Sequence, residues 1–409
     1  MSSVYVVAGI DVHKKMQAVV VAEVREHGIE YRERCCGATV RELKELAEWL
    51  AGQKVTEVAM ESTAQYWRPV WMVLEQAGFK LHLAQPRSTL APRGRKSDFA
   101  DARRIVNRLL AQDLTLSYVP ERAQRQWRTI TRLRVRMSDQ QVRLRNQMEG
   151  LLEESHIKLS SVVSDLMGVS GRRILWAMVK GESDPVQLAA LAESRLKASP
   201  EQLQEALRGS LDAVQRSLLK MLLEQWDQFQ THIGQLEQHM HEAMKPQQQV
   251  IERIVEIPGV SLVAAHQIVA EVGPQAAAFD APEKLASWVG VCPGMQQSAG
   301  KCYSTRSAKG NPMMRRLLTQ CAWAAVRVQG SIFQHKFRSL LPRLGARSAI
   351  WAIAHLLLRI TWKLLHDQVP YQERGALLDP LTAQRRRKRY IRELRNLGYA
   401  VSLTPLSAS

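Results

Sequence analysis

The first 115 residues alternate short apolar runs with amphipathic stretches. Three runs rich in β-branched residues, at about 4–11, 16–24 and 29–34, are separated by turn residues and predict an antiparallel meander. Apolar residues at three- and four-residue steps then predict a helix at about 40–52. The same patterns predict strands at 55–60 and 80–84, and helices at about 66–78 and from about 97.

Three strands, helix, strand, helix, strand, helix is the order of the ribonuclease-H-like α/β fold, so we predict that fold for residues 1–118. Acidic residues lie where that fold carries its acids. Asp11 ends the first apolar run and Glu61 ends the run at 55–60. Asp98 and Asp101 begin the last helix, three residues apart, and therefore share one helix face.

These four acids together predict a site for divalent metal ions. Closely spaced hard cations need several carboxylate oxygens to neutralise their mutual repulsion. Each acid taken singly is equally consistent with an ordinary strand-end charge or a helix cap. Their joint placement turns a generic α/β pattern into a hypothesis of phosphodiester chemistry.

Residues 119–247 have a helical pattern throughout, which predicts a helical or coiled-coil linker region. At about 120–153, apolar residues at helical spacing alternate with many arginines and few acids. We expect this helix to pack on a partner helix and to lie along phosphates, although a solvated surface helix is the simpler alternative. A second long helix is predicted at about 200–245.

Residues 248–370 predict a mostly helical C-terminal domain. The turn IPGV at 257–260 precedes a helical stretch at 262–272 and resembles a helix-hairpin-helix element, whose backbone N–H groups can hold a phosphate. Helices are predicted at about 311–329 and 346–366. The basic tail, 371–409, is typical of a nucleic-acid-binding arm or a disordered end. Its densest part contains Arg385, Arg386 and Arg387.

Charge and composition indicate which class of partner the protein binds and where in the cell it acts. The 409-residue chain carries a formal charge of +18 and has a pI of about 10.0, which favours nucleic acid as a polyanionic partner. The apolar stretch 349–365 contains His355, Arg359 and Lys363, so we expect a buried helix and no membrane. The N-terminus shows no signal peptide and the five cysteines are scattered, which predicts a cytoplasmic, nucleoid-associated protein.

A second candidate site is the loop after residue 292, which is rich in glycine, serine and cations. A serine there could attack a backbone phosphate while neighbouring cations stabilise the developing charge. Alternatively, Ser298 only donates a hydrogen bond in a loop that grips phosphate. The cations we select as phosphate contacts are Arg306, Lys309, Arg315 and Arg316.

Several sequence blocks resemble one known family. GIDVHK at 9–14, MESTAQYW at 60–67 and KSDFADA at 96–102 look like the signature blocks of the DEDD transposases of bacterial insertion sequences, also described as bridge-RNA-guided recombinases. IPGV at 257–260, QSAGK at 297–301 and GN at 310–311 look like the second domain of the same family. Ala64 departs from the pattern, because a glycine is usual at that position.

The resemblance implies a RuvC-like N-terminal domain in which Asp11, Glu61, Asp98 and Asp101 bind Mg²⁺, with Mn²⁺ as a substitute. It also implies that Ser298 attacks DNA and forms a covalent phosphoserine. Further implied partners are donor and target DNA and a non-coding guide RNA. The family assembles as homodimers that form tetramers, with acids and serine supplied by different subunits.

Two alternatives stay open at this point. A RuvC-like junction resolvase would use water as its nucleophile, which would make Ser298 incidental. A non-catalytic nucleic-acid-binding protein would use the acids only as caps and surface charges.

Overall fold

A mixed six-stranded sheet forms the centre of the N-terminal part of the computed structural model. The structure describes residues 5–61, 64–86, 97–292, 296–298, 301–304, 307, 309–373 and 380–402, with only the backbone described at 296–298, 301–304, 380–383 and 385–386. It divides into two units, Met1–Pro120 and Glu121–Ser409. The finer boundaries near residues 247 and 370 remain predictions.

The sheet has the order β3-β2-β1-β4-β5-β6, with β1, β4 and β5 parallel and the other neighbours antiparallel. The strands are β1 (Tyr5–Val12), β2 (Met16–Arg25), β3 (Gly28–Gly37), β4 (Glu57–Glu61), β5 (Lys80–Ala84) and β6 (Leu116–Ser117). The helices of this unit are α1 (Val40–Gly52), α2 (Trp67–Gln76) and α3 (Asp98–Leu110). This order confirms the predicted ribonuclease-H-like arrangement. The short edge strand β6 was not predicted.

The two faces of the sheet are covered by different helices. Even-numbered residues of β1, such as Ile10, pack with α1 and α2 in the larger core. Val7 lies on the other face and packs with Ala102 and Val106 of α3. Because side chains alternate along a strand, this division decides which residues of β1 and β4 can meet α3.

Gly9 allows α3 to approach β1 closely. A Cβ atom at Gly9 would lie 2.5 Å from the carbonyl oxygen of Ala102 and 2.6 Å from Cγ2 of Val106. One of these neighbours is a backbone atom, so no side-chain rotation can make room. The absence of a side chain at Gly9 therefore sets the distance between α3 and the strand that carries Asp11.

Two long antiparallel helices, separated by several short ones, form the first part of the second unit. They are α4 (Arg122–Glu154) and α9 (Ala213–Met244), and the short helices between them are α5 (Leu159–Val162), α6 (Val169–Val179), α7 (Pro185–Ala190) and α8 (Pro200–Ala206). Trp127 Nε1 donates to the carbonyl of Ala243 at 3.0 Å, and Gln141 Nε2 donates to Gln230 Oε1 at 3.0 Å. These contacts fix the antiparallel register.

The predicted single helix at 200–245 is wrong in its first part. The segment contains the short α8, and the long helix begins only at Ala213. Asp212 stops any continuation from α8, because it forms a capping box with Gln215 and takes an extended backbone conformation. The predicted helix at 120–153 is confirmed by α4.

The rest of the unit is mostly helical, as predicted. It comprises α10 (Gln248–Val255), α11 (Leu262–Val272), α12 (Pro282–Val289), the hairpin β7 (Gln296–Ser298) and β8 (Lys301–Ser304), α13 (Pro312–Ala325), α14 (Ile332–His366) and α15 (Pro380–Asn396). Length and composition alone would let α14 cross a membrane, but 50% of its most apolar window is buried in the protein. The second arm of α14, after a kink at Gly345, is thus the buried helix expected at 346–366.

The turn between α10 and α11 lies where the sequence resembles a helix-hairpin-helix element, and that resemblance stays a prediction. Gly259 has φ +83°, and a Cβ there would lie 2.3 Å from the backbone nitrogen of Ala325 in α13. Glycine is therefore required both for the turn conformation and for the close approach of α13.

The buried carboxylate of Glu271 joins three helices. Glu271 is 2% exposed at the end of α11. Arg132 of α4 donates to both its oxygens, at 2.7 and 2.9 Å, and Asn311 Nδ2 donates to Oε2 at 3.0 Å. Asn311 also caps α13 by accepting from the N–H groups of Met313 and Met314. One carboxylate thus ties α4, α11 and the start of α13 together.

We predict that Gly9→Ala destabilises the protein by about 1–3 kcal/mol, because the added methyl group overpacks the contact between β1 and α3. Chemical denaturation of the full chain measures this loss. Gly52→Ala is the matched control, since a Cβ at Gly52 meets no atom within 4 Å. Equal stability of Gly9→Ala and Gly52→Ala would contradict the close approach described above.

We predict that Glu271→Gln lowers the free energy of unfolding by about 2 kcal/mol, because an amide N–H₂ must then face the donors of Arg132 or Asn311. The same denaturation measurement tests this. Glu205→Gln is the control, because it removes only an ion pair with Arg208. The side chains of Glu205 and Arg208 are 67% and 74% exposed, so this variant should change stability little. If the two variants unfold alike, Glu271 does not hold the three helices together.

Candidate functional site

Asp11 and Glu61 lie side by side at the ends of two parallel strands. Ile10 of β1 pairs with Met60 of β4, and each acid is the next residue along its strand. Ile10 and Met60 face the core with α1 and α2. Strand alternation therefore turns Asp11 and Glu61 towards the opposite face, which is the face that α3 covers.

Asp98 and Asp101 lie in the first turn of α3. Ser97 caps the helix by accepting from Ala100 N–H at 3.3 Å, so Asp98 is not needed as the cap. Acidic side chains in a first turn are favoured by the positive end of the helix dipole. Asp101 is paired with Arg104, one turn along the same helix.

His13 joins the acids of the sheet and the helix. Its Nε2 lies 3.0 Å from Asp11 Oδ2 and 3.5 Å from Asp98 Oδ1. The backbone N–H of His13 donates to the backbone carbonyl of Met16 at 3.1 Å. The side-chain amide of Gln17 donates to the backbone carbonyl of His13 at 3.1 Å. These two hydrogen bonds fix the turn between β1 and β2. His13 was not among the residues selected from the sequence, although its place two residues after Asp11 was a usable signal.

The electrostatics of this cluster favour a cation. Burial raises the pKa of the Asp11 carboxyl above its usual value, and the negative charges of Asp101 and Asp98 add to the rise. His13 lowers the pKa of Asp11, both by its charge and by its hydrogen bond to the carboxylate. Like charges held this close are relieved by a positive ion between them.

The donor set fits a divalent metal ion. Within the described residues, Asp11, His13 and Asp98 are the one set of three side chains whose ligand atoms all lie within 4.8 Å of one another. Carboxylate oxygens are the ligands that Mg²⁺ prefers. Asp11 and Asp98 would hold the ion, and Glu61 lies at the adjacent strand end. Asp101 would first have to exchange its contact with Arg104.

Ser298 is the last residue of β7 and pairs with Lys301 at the start of β8. The structure describes only the backbone of Ser298, and Arg306 lies outside the described residues. The geometry of Ser298 as a nucleophile therefore stays a prediction.

The exit of this loop is braced by Trp351 of α14. The indole Nε1 donates to Ser307 Oγ at 3.0 Å, and the guanidinium of Arg315 lies 5.0 Å from the ring centroid. Lys309 is exposed, and Asn311 is fixed on Glu271. The stack on Trp351 orients Arg315 beside Ser307, at the start of α13.

The other predicted phosphate contacts lie in separate places. Arg316 is paired with Asp139 of α4. Arg387 is exposed on α15, whereas the side chains of Arg385 and Arg386 lie outside the described part.

Many arginines of α4 have partners inside the protein. Arg134 pairs with Glu237 at 2.7 Å and Arg132 pairs with Glu271. Arg128 donates to the carbonyls of Ala270 and Glu271. The sequence showed few acids nearby because these acids lie more than a hundred residues away along the chain. Arg136 and Arg143 are exposed and remain candidates for contacts with phosphate.

The comparisons with known proteins address both units. A family model for the DEDD domain of IS110 elements, described as a transposase, matches residues 8–157. A second model, described as the transposase IS116/IS110/IS902 family, matches residues 251–338. Among solved structures, T. thermophilus RuvC in complex with a Holliday junction substrate matches at 16% identity over 28% of this chain and 99% of that chain, with a TM-score of 0.20. No curated protein is significantly similar.

The two family models lie in the order that the sequence blocks predicted, and together they span more than half of the chain. The first contains all four acids, and the second contains Ser298 and Asn311. The chain therefore belongs to the IS110 family of DEDD transposases.

Proposed function

We propose that this transposase cuts and joins DNA through a Mg²⁺ site on the acids and a covalent phosphoserine on Ser298. The observation that carries the proposal is the convergence of Asp11 and Asp98 on His13, which brings acids from strand and helix to one point. Acids that served only as caps would not need to meet. Mn²⁺ should substitute for Mg²⁺, since both favour carboxylate ligands.

The proposed reaction conserves the energy of the phosphodiester bond. The hydroxyl oxygen of Ser298 attacks a backbone phosphorus, an Oγ–P bond forms, and the bond to the 3′ oxygen breaks. The serine proton ends on the departing 3′ oxygen. A 3′-hydroxyl from another strand then attacks the phosphoserine and releases the serine, so that strands exchange without net hydrolysis.

The residues of the chain divide this work. Bound Mg²⁺ would neutralise phosphate charge and stabilise a departing oxygen. Asp11, Glu61, Asp98 and Asp101 would hold the ion. Arg315, oriented by Trp351, and the exposed Lys309 are suited to the charge that develops on the attacked phosphate.

The partners follow from the family resemblance and the charge of the chain. We infer that the substrates are donor and target DNA and that a non-coding guide RNA pairs with both. The net charge of +18 supports two polyanionic partners. We further propose dimers that assemble into tetramers, with the serine supplied by a different subunit from the acids, in the bacterial cytoplasm.

The decisive experiment compares Ser298→Ala with Asp11→Asn on DNA that carries the ends of the element, with the co-purifying RNA present. Asp11→Asn should lose Mg²⁺-dependent strand cleavage by about 100-fold or more, as expected when a positioning charge is removed from a reacting phosphate. Ser298→Ala should lose both strand transfer and the covalent protein–DNA adduct, which denaturing gels detect. Asp113→Asn, an exposed acid just beyond α3, is the control and should retain activity.

The outcomes separate the rival functions. If Ser298→Ala still cut DNA but never formed an adduct, the enzyme would use water as a hydrolytic nuclease does. If Asp11→Asn kept full metal-dependent cleavage, the acids would not form the site. A preparation without any defined small RNA would contradict guidance by RNA.

A further inference from the structure

The first arm of α14 ends in a segment that is exposed along its whole length. Residues 341–348 are exposed without interruption, although α14 is buried on both sides of them. A helix that packs on a core buries one face in every turn. Eight consecutive exposed residues therefore mark a projection from the surface. Together with the preceding turn and a half of helix, which carries the exposed Lys336 and Arg338, they form what we call the elbow (residues 336–348).

The bend in the elbow is built into the sequence. Pro342 removes one helical hydrogen bond, and Gly345 has φ +73° and ψ 165°. A Cβ at Gly345 would meet no atom within 4 Å, so the glycine is required for its backbone conformation and not for space. The projection is thus a defined corner between two helical arms.

The elbow is basic and carries no acid. The whole of α14 contains neither Asp nor Glu. The exposed cations of the elbow make no ion pair with any residue that the structure describes; they are Lys336, Arg338, Arg343 and Arg347. Elsewhere in this unit, arginines such as Arg132 and Arg134 do have acidic partners.

Apolar side chains lie among these cations. Leu341 and Leu344 are each 39% exposed on the same projection. Such a surface suits a partner that offers negative charge and apolar surface together. The phosphates and sugars of a nucleic acid backbone offer both.

We propose that the elbow grips the phosphodiester backbone of duplex DNA. A second copy of this chain would bring an identical elbow without any acid, so two elbows would repel each other. DNA is the natural occupant because the family acts on it. Most of the elbow lies beyond residue 338, where the matched family region ends. The proposal does not require Ser298 to be the nucleophile.

Binding of generic duplex DNA to the full chain at several salt concentrations tests the proposal. The triple variant Arg338→Gln, Arg343→Gln, Arg347→Gln should bind more weakly. The slope of log K against log salt should become shallower by about 1 for each phosphate that is no longer neutralised, that is by about 2–3 in total. The double variant Arg195→Gln, Lys197→Gln is the matched control on an exposed part of the same unit and should bind as the wild type does.

Each other outcome overturns the proposal. Wild-type affinity and slope in the triple variant would show that duplex DNA does not touch the elbow. A loss confined to a structured RNA probe would assign the surface to RNA. A changed oligomeric state in sedimentation, with DNA binding intact, would assign it to a second copy of the chain. Thermal unfolding of both variants checks that these exposed substitutions leave the fold unchanged.

Discussion

The close packing of α3 on β1 is the contact on which the proposed metal site depends. Strand and helix approach so closely because Gly9 offers no side chain to Ala102 and Val106. This contact places the start of α3 beside the end of β1, where Asp11 meets Asp98 through His13. Pairing of β1 with β4 then places Glu61 at the neighbouring strand end. Backbone packing thus concentrates negative charge at one edge of the sheet, and a cation bound there would offset the resulting repulsion.

In the second unit, a buried carboxylate holds the helices in place. A buried carboxylate with charged partners is costly in isolation, but Glu271 has its oxygens satisfied by Arg132 and Asn311. Asn311 begins α13 and follows directly on the loop that carries Ser298. Glu271 therefore links Arg132 of α4 to Asn311, the cap of α13. Trp351 provides a second fixed point at Ser307.

Local patterns predicted much of the fold. The bounds of α1, β5 and α11 agree with the sequence periodicity, because capping residues and turns mark their ends. The prediction of one helix at 200–245 was wrong because the capping box at Asp212 starts a new helix within an unbroken apolar pattern. Ala64 has φ +47°, a conformation that favours glycine, which is the residue that the family resemblance implies at this position.

Long-range contacts were beyond the reach of the sequence. The acids that neutralise the arginines of α4 come from α9 and α11, so the helix looked more basic than its surface is. The four acids were selected by their order along the chain. The meeting of Asp11 and Asp98 depends on how α3 packs, and the role of His13 depends on the turn that follows β1. The helical form of the basic tail, α15, was likewise not predicted.

A crystal of the protein grown with Mn²⁺ would decide whether the acids form a metal site, because anomalous scattering locates the ion without reference to activity. We expect an anomalous peak bound by carboxylate oxygens of Asp11 and Asp98, with Glu61 nearby. His13 would then give up at least one of its two carboxylate contacts. The same crystal with Asp11→Asn should show no such peak. A wild-type crystal without a peak at this edge of the sheet, and with His13 still between the two acids, would contradict the metal site.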